Sequence, residues 1–206
     1  MEVCYRTGYM GEDAEGRFGD KYLFGLLFSL YYVWYEWWNC FVADDRGRVV
    51  GYILGTLDTK RQRRWFICKI GWRILARLCL VSWWRYPNVL KILVHLISQI
   101  GRTDSVGVVE EDRISEEYPA HLHIDILEKY QRKGIGSRLM KRFEEHVKKH
   151  GVNGIHLETS ERNYKAVPFY KKHGYKILRV SNGTLWPDAR DVRGLLFAKK
   201  LDKREK

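Results

Sequence analysis

The strongest constraint on this chain's fold lies between residues 120 and 151. "AHLHIDIL" alternates strictly, with Leu122, Ile124 and Ile126 on one side and His121, His123 and Asp125 on the other, so it specifies a strand with one apolar and one polar face. "YQRKGIGSRLMKRFEEHVKKHG" follows directly. Its two glycines, Gly134 and Gly136, open onto Ile135, Leu139, Phe143 and Val147 at helical spacing, closed by Gly151. A strand that turns through glycine into a helix exposes backbone N–H groups at the positive end of a helix dipole, and such a turn suits a phosphate. Glycine also lets a ligand approach the backbone without Cβ interference. On its own, G-x-G is equally an ordinary strand–helix turn.

The flanking sequence extends this unit. "GIHLET" is a short strand, "NYKAVPFYKKHG" a helix, "YKILRV" a strand, and "GLLFAKKL" is expected to close the sheet. Upstream, Asn39–Ala43 and Val49–Leu57 flank Asp45, Arg46 and Gly47 as a hairpin. The order predicts an α/β fold with one mixed sheet flanked by helices. A length of 206 residues fits one domain. It divides into N-terminal helices with the first hairpin (1–58), a basic helical insertion and loop (59–118) and a core (119–200).

Residues 22–43 form a long apolar run, but Glu36 and Asn39 within it argue for a buried helix followed by a strand rather than a membrane span. Residues 1–20 are polar and glycine-rich, so no signal peptide is expected. Cys4, Cys40, Cys68 and Cys79 lack C-x-x-C spacing and are expected as scattered core thiols in a reducing, cytoplasmic setting.

The net charge of +12 is uneven: Lys60–Thr103 contains ten Lys/Arg and no Asp or Glu. Ile67, Ile70, Ile74 and Leu78 predict a buried helical face, with Lys69, Arg73 and Arg77 on another. Pro87 interrupts, "VLKILVHLISQI" predicts a second helix, and 101–117 reads as a polar loop. For 60–102 the charge and periodicity predict a solvated face packed on the core, with an anionic membrane surface second. Nucleic acid is disfavoured, because no recognised binding motif accompanies the charge.

Two phosphate motifs are excluded by spacing: G-x-x-x-x-G-K-[ST] is absent, and Gly134-Ile135-Gly136 lacks the third glycine of a dinucleotide fingerprint. Gln131, Gly134 and Gly136 instead form Q-x-x-G-x-G. Downstream, Asn163, Ala166, Phe169, Tyr170, Gly174 and Tyr175 form N-x-x-A-x-x-F-Y-x-x-x-G-Y. This pair resembles the two hallmark motifs of the GNAT N-acetyltransferase superfamily, over residues 120–178. "VCYRTGYMGEDA", "GYILGTLDT" and "YPAHLHIDIL" further resemble bacterial acetyltransferases related to the acetyltransferase-like domain of protein O-GlcNAcases. Departures are Tyr31 and Trp37 where prolines are expected, and Arg132 where glycine is frequent; residues 60–118 match least.

The resemblance implies acetyl-CoA as co-substrate, an amine acceptor, and direct attack within a ternary complex. For 60–102 it implies a lid over an acceptor pocket, the favoured role there beside the solvated face. Gln131, Arg132, Lys133, Gly134, Ile135, Gly136 and Ser137 would hold the pyrophosphate, with Lys129 and Arg138 adding positive field. Backbone groups of Ile124 and Ile126 would meet the pantetheine, and the Ile124 N–H would polarise the thioester. Asn163 and Ala166 would contact the cofactor, and Tyr170 would protonate the leaving thiolate. The glutamate that some members carry on this strand falls at Ala120, leaving His123, Asp125 and Glu158, with His121, as candidate bases. His121 and His123 lack a third ligand at persuasive spacing, so no metal is expected. The acceptor is open among protein lysine, amino sugar, polyamine and small amine; Glu116, Glu117 and Glu158 are candidates to accommodate a cationic one. The chain is expected as monomer or homodimer. The alternative is a catalytically silent acyl-CoA-binding or membrane-surface module.

Overall fold

The computed structural model describes residues 1–100, 105–182, 186–189 and 191–201. Three short helices lead, α1 (Glu2–Arg6), α2 (Lys21–Phe28) and α3 (Leu30–Tyr35), followed by strands β1 (Phe41–Asp45) and β2 (Arg48–Thr56). The insertion carries α4 (Thr59–Phe66), α5 (Trp72–Arg77), α6 (Trp83–Arg85), α7 (Pro87–Ile100) and α8 (Ser105–Glu117). The core follows as β3 (Ala120–Ile126), α9 (Ile135–Lys149), β4 (Gly154–Ser160), α10 (Ala166–Lys172), β5 (Lys176–Asn182) and β6 (Arg193–Lys200).

The six strands form one sheet in the order β1-β2-β3-β4-β6-β5, mixed because β3 and β4 run parallel while the other neighbours are antiparallel. The first hairpin turns on Arg46 and Gly47, both left-handed at φ +53° and +82°, as a two-residue turn matched to strand twist requires. β6 lies between β4 and β5 rather than at the edge, so β5 ends the sheet.

Each face of the sheet has its own apolar layer. Met140, Phe143 and Val147 of α9 pack on Ile53, Leu122, Ile155 and Phe197. On the other face, Phe24, Leu26 and Tyr31 pack with Tyr52, Leu54 and Ile70. The polar residues inside the apolar run 22–43 pair with each other: Glu36 accepts from Tyr31 Oη (2.9 Å) and Asn39 Nδ2 (3.0 Å), and Asn39 bonds His146 at 2.8 Å. Their burial is therefore satisfied. Among the described residues no helix is long and apolar enough to cross a membrane.

From Thr59 to Arg85 the chain stays helical, with π-turns at Ile67–Gly71 and Leu78–Ser82. The sequence explains them. Phe66, Ile70, Ile74, Leu78 and Ser82 recur every fourth residue, and on an α-helix of 3.6 residues per turn such a row drifts by about 40° per step. The wider π-turns absorb that drift and keep the row on the core. Ile67 falls outside this row and is exposed, against the expectation of a buried face that included it. Cys68 and Cys79 are also exposed rather than core thiols, while Cys4 is buried.

Residues 105–117, expected as loop, form α8; residues 101–104 of that expected loop lie outside the described residues. α8 is held from afar rather than by its own periodicity: Lys60 meets Glu116 at 2.6 Å and Arg63 meets Glu111 at 3.1 Å.

Asp20 fastens the insertion to the N-terminal helices. Its carboxylate accepts from Leu23 N–H (3.0 Å), Arg77 Nε (2.9 Å) and Ser82 Oγ (2.6 Å), and it is 1% exposed. Burial alone would push its pKa up, but Arg77, Ser82 and the Leu23 N–H together hold it below the ordinary carboxylate value. The stabilisation from ionised Asp20 is thus present above the unfolded pKa and lost as pH falls through the depressed folded value. Asp20→Ala is expected to cost roughly 3 kcal/mol in urea unfolding at neutral pH, since it strands Arg77 and removes a helix cap. The deficit against the native protein is expected to shrink below about pH 4.

Candidate active site

β3 is bonded along its length to β2, from Thr56↔His121 to Gly51↔Ile126, and β4 is bonded along its length to β6. Between them, β3 and β4 pair only at Ala120↔Ile155 and His121↔His156 and then part, leaving a wedge in the middle of the sheet. Leu127 N–H donates to Val50 O at 2.9 Å, so by strand alternation Leu122, Ile124 and Ile126 turn their backbone groups into the wedge.

The turn after β3 closes one end of the wedge. Gln131 is spent on the turn itself: its N–H donates to Glu128 O (3.0 Å) and its amide Nε2 to Ile126 O (2.9 Å). The N–H groups left open therefore begin at Arg132. Arg132 and Gly134 are left-handed, at φ +59° and +75°, and no side chain caps α9. The first-turn N–H groups of Ile135, Gly136 and Ser137 have no partner within the helix. A Cβ on Gly136 would stand 3.1 Å from Ile126 Cδ1 and 3.2 Å from Phe169, so only glycine fits this approach of α9 to β3 and α10 without adjustment. The Ser137 hydroxyl is paired with His173 Nε2 at 3.0 Å. Lys129 and Lys133 lie over the Tyr130 ring beside Arg132 and Arg138, a cationic rim.

α10 lies under the wedge from the α9 face. Tyr170 is buried, and among the described residues its hydroxyl has no hydrogen-bond partner. Burial, then the Asp125 charge, push its pKa well above the ordinary tyrosine range, so it stays protonated at neutral pH. Asn163 Oδ1 accepts from Ala166 N–H (3.1 Å), capping α10. The same side chain abuts Gly11, where a Cβ would come within 2.9 Å of it. The segment after α1 thus crosses the mouth of the wedge, beside a cavity of about 630 Å³ whose lining mixes Arg6, Arg48, Lys129 and Lys165 with Glu2, Glu12, Asp13 and Glu128.

The opposite face holds the titratable groups. His121, His123 and Asp125 project there, half-buried, as the alternation specified. His156 and Glu158 join them from β4; His156 went unnoticed in the sequence although "GIHLET" places both on one side of a strand. His121 lies 4.7 Å from His123 and 5.0 Å from His156 between ring centroids, and its Nδ1 is 3.3 Å from Tyr32 Oη. His156 Nδ1 pairs with Tyr118 O at 2.7 Å. Burial, with the neighbouring rings, drives His123 down to about 4 and His121 well below its usual value. Burial raises Asp125 to about 6 although the Tyr52 hydroxyl donates to it. Glu158 is 64% exposed at its side chain and sits 3.6 Å from Arg179, which also faces Glu110 and Glu111 at 3.7 Å. Glu116 and Glu117 turn elsewhere, to Lys60 and Lys200. Ala120 is fully buried in the layer under α9, so a base there would not reach this face. Among the described residues no group of three His, Cys, Asp or Glu could hold a metal ion.

Residues 98–175, which contain β3, the glycine turn, α9, β4 and α10, match the model of the Acetyltransferase (GNAT) family. Over that stretch the chain is similar to GNAT acetyltransferases. A crystal structure named SsHAT is 29% identical, covering 97% of this chain and 90% of its own, with a TM-score of 0.68. Probable N-acetyltransferase 14 of Xenopus tropicalis is 30% identical over 112 residues, which is 50% of this chain and 53% of that protein. The uncharacterized N-acetyltransferase YjcF of Bacillus subtilis is 35% identical over 66 residues, 32% of this chain and 45% of that one. The chain thus spans at most about half the length of these curated relatives.

His123 and Asp125, both half-buried, set opposite pH dependences. With His123 depressed to about 4, the unfolded chain binds more protons from the ordinary histidine value down to there, so stability falls as pH falls. With Asp125 raised to about 6, the folded chain binds more protons below that pH, so stability rises as pH falls through the window. His123→Gln is expected to lessen the acid loss of stability between about pH 6.5 and 4, and Asp125→Asn to steepen it, each by up to about 3 kcal/mol. Urea unfolding across that range checks both signs.

Proposed function

We propose that this protein is an N-acetyltransferase that moves an acetyl group from acetyl-CoA to an amine by direct attack. The wedge between β3 and β4, ending at an uncapped helix N-terminus with open backbone N–H groups, carries this reading. In it the pyrophosphate sits on the N–H groups of Arg132, Lys133, Gly134, Ile135, Gly136 and Ser137, within the field of the cationic rim. The amide-bearing pantetheine arm adds along β3 as a strand would, against the backbone of Ile124 and Ile126. Gln131 supports this by shaping the turn, and Asn163 and Ala166 by fixing α10 beside the arm.

The chemistry then divides among few groups. Ile124 N–H polarises the thioester carbonyl. The amine nitrogen attacks that carbon, the C–N bond forms, and the C–S bond breaks. The amine proton passes, directly or through water, to Asp125, which with its pKa raised to about 6 is still ionised at neutral pH yet more basic than an ordinary carboxylate. His123, depressed to about 4, is the weaker base and serves to line the recess. Tyr170, held protonated, gives its proton to the departing thiolate. Glu158, at the open side near Arg179, meets the incoming cationic acceptor. Closeness to the acetyltransferase-like domain of O-GlcNAcases, and a single domain over 1–206, belong to the same reading; the first rests on the segments 3–14, 51–59 and 118–127.

Acetyl-CoA at about a hundred times its Kd is expected to raise Tm by roughly 5 °C or more, against no rise with NADH or ATP, and Gly134→Asp is expected to abolish the rise. No rise in a folded protein would reduce the glycine loop to a turn. With an accepting amine in hand, Tyr170→Phe is expected to lower kcat by about 10²-fold while keeping the acetyl-CoA shift. The native kcat/KM is expected to fall as pH drops through about 6, and Asp125→Asn to remove that limb. Acetyl-CoA binding with no turnover on any amine class would leave the silent binding module standing.

A further inference from the structure

We propose that the outward face of the insertion helix Thr59–Arg85 docks on an anionic lipid bilayer surface, lying along it. The helix has two apolar rows, and the fold uses one. Phe66, Ile70, Ile74 and Leu78 face the core formed with α2 and α3. Opposite that row stand Cys68, Trp72, Leu80 and Trp84, flanked by Trp65, Leu75, Cys79 and Trp83, and all of them are exposed. Leu75 is 62% exposed and Trp83 59%, and beside them Leu80 and Trp84 are 72% and 61% exposed. An apolar strip this long on a folded surface marks a contact that the chain itself does not make.

The charge around the strip names the occupant. Arg61, Arg64, Lys69 and Arg85 border it with no carboxylate in ion-pair range among the described residues, whereas Lys60, Arg63 and Arg77, on the protein side, are each paired with an acid. Four unpaired cations are thus interleaved with the exposed tryptophans along one helix. Arg73 stacks between two of them, 4.6 Å from the Trp72 ring and 5.2 Å from the Trp34 ring, so Trp34 of α3 continues the same surface. Exposed aromatics flanked by free Lys and Arg on a helix too polar to span are what an interface of anionic headgroups over acyl chains accommodates. At 1.5 Å per residue the helix offers a contact roughly 40 Å long. A second copy of this chain would bring the same cations against themselves, which disfavours self-association there.

The test uses the full chain and needs no enzyme assay. Sedimentation with phosphatidylcholine vesicles is compared with vesicles containing about a third phosphatidylserine, which supplies the anionic surface. Binding to the anionic vesicles alone is expected, with a blue shift of tryptophan emission and at least a tenfold loss of partitioning at high salt. Trp65, Trp72 and Trp83 all changed to Ser, and separately Arg61→Glu with Arg64→Glu, are each expected to lower partitioning at least tenfold while far-UV circular dichroism is unchanged. Protein left in the supernatant with anionic vesicles would overturn the proposal, as would undiminished binding by the folded tryptophan variant. So would a lipid-free dimer in analytical ultracentrifugation that the same variant abolishes, because the strip would then cover a second copy.

Discussion

The parting of β3 and β4 is the constraint on which the rest of the structure depends. A central strand normally satisfies its backbone on both sides, and an unpaired buried amide costs about what a lost hydrogen bond does. Here each strand is fully paired on its outer side, to β2 and to β6, so the sheet survives losing pairs at its centre. What the split leaves is the backbone around Ile124 facing the wedge, backed by α9 and α10, while Ile126 O is taken by Gln131 Nε2. An arm that carries its own amides can complete such an edge without any side chain being specified. In the proposed reading, Ile124 and Ile126 therefore contribute through backbone alone.

Charge is sorted along the wedge. At the turn end stand Lys129, Arg132, Lys133 and Arg138, with unpaired N–H groups behind them. On the recess face stand Asp125 and Glu158, among histidines that burial keeps neutral. A ligand with an anionic end and a reacting end that meets an amine is oriented by this polarity before any close contact forms. Neutral histidines are part of the sorting: protonated, they would cancel the carboxylates and repel an ammonium.

How much of this the sequence disclosed follows from the range of each interaction. Local signals were sufficient for β3, whose alternation separates His121, His123 and Asp125 from Leu122, Ile124 and Ile126. They sufficed as well for α9, and for the first hairpin with its turn at Arg46 and Gly47. The arrival of His156 beside His121 depends on a parallel register between strands with a helix between them, which no residue pattern encodes. α8 was illegible for a related reason: "SVGVVEEDRISEE" has little apolar periodicity, and its acids find their partners on α4 and β5. Asp20, an unremarked aspartate in the sequence, anchors the insertion only because Arg77 and Ser82 return to it from 57 and 62 positions away. The role of Gln131 in the turn, rather than at its open N–H groups, likewise shows only in three dimensions.

Arg132 shows how strain and site are joined. A non-glycine residue in the left-handed region costs about 1–2 kcal/mol, and this is a position where glycine is frequent in related motifs. Two left-handed residues within three positions turn the chain so sharply that successive N–H groups can converge on one concavity, a nest for an anion. Glycine at 132 would form that nest without strain but would bring no charge. Arginine accepts the strain and adds a permanent cation at the rim, where the helix dipole alone supplies only about half a charge. The turn is thus less comfortable in the empty protein than it would be with glycine, and better matched to a doubly charged pyrophosphate. Met10 and Arg46 share this left-handed conformation, so strain alone does not mark a site; at Arg132 it coincides with open N–H groups and a cationic rim, which is coherent with a binding loop.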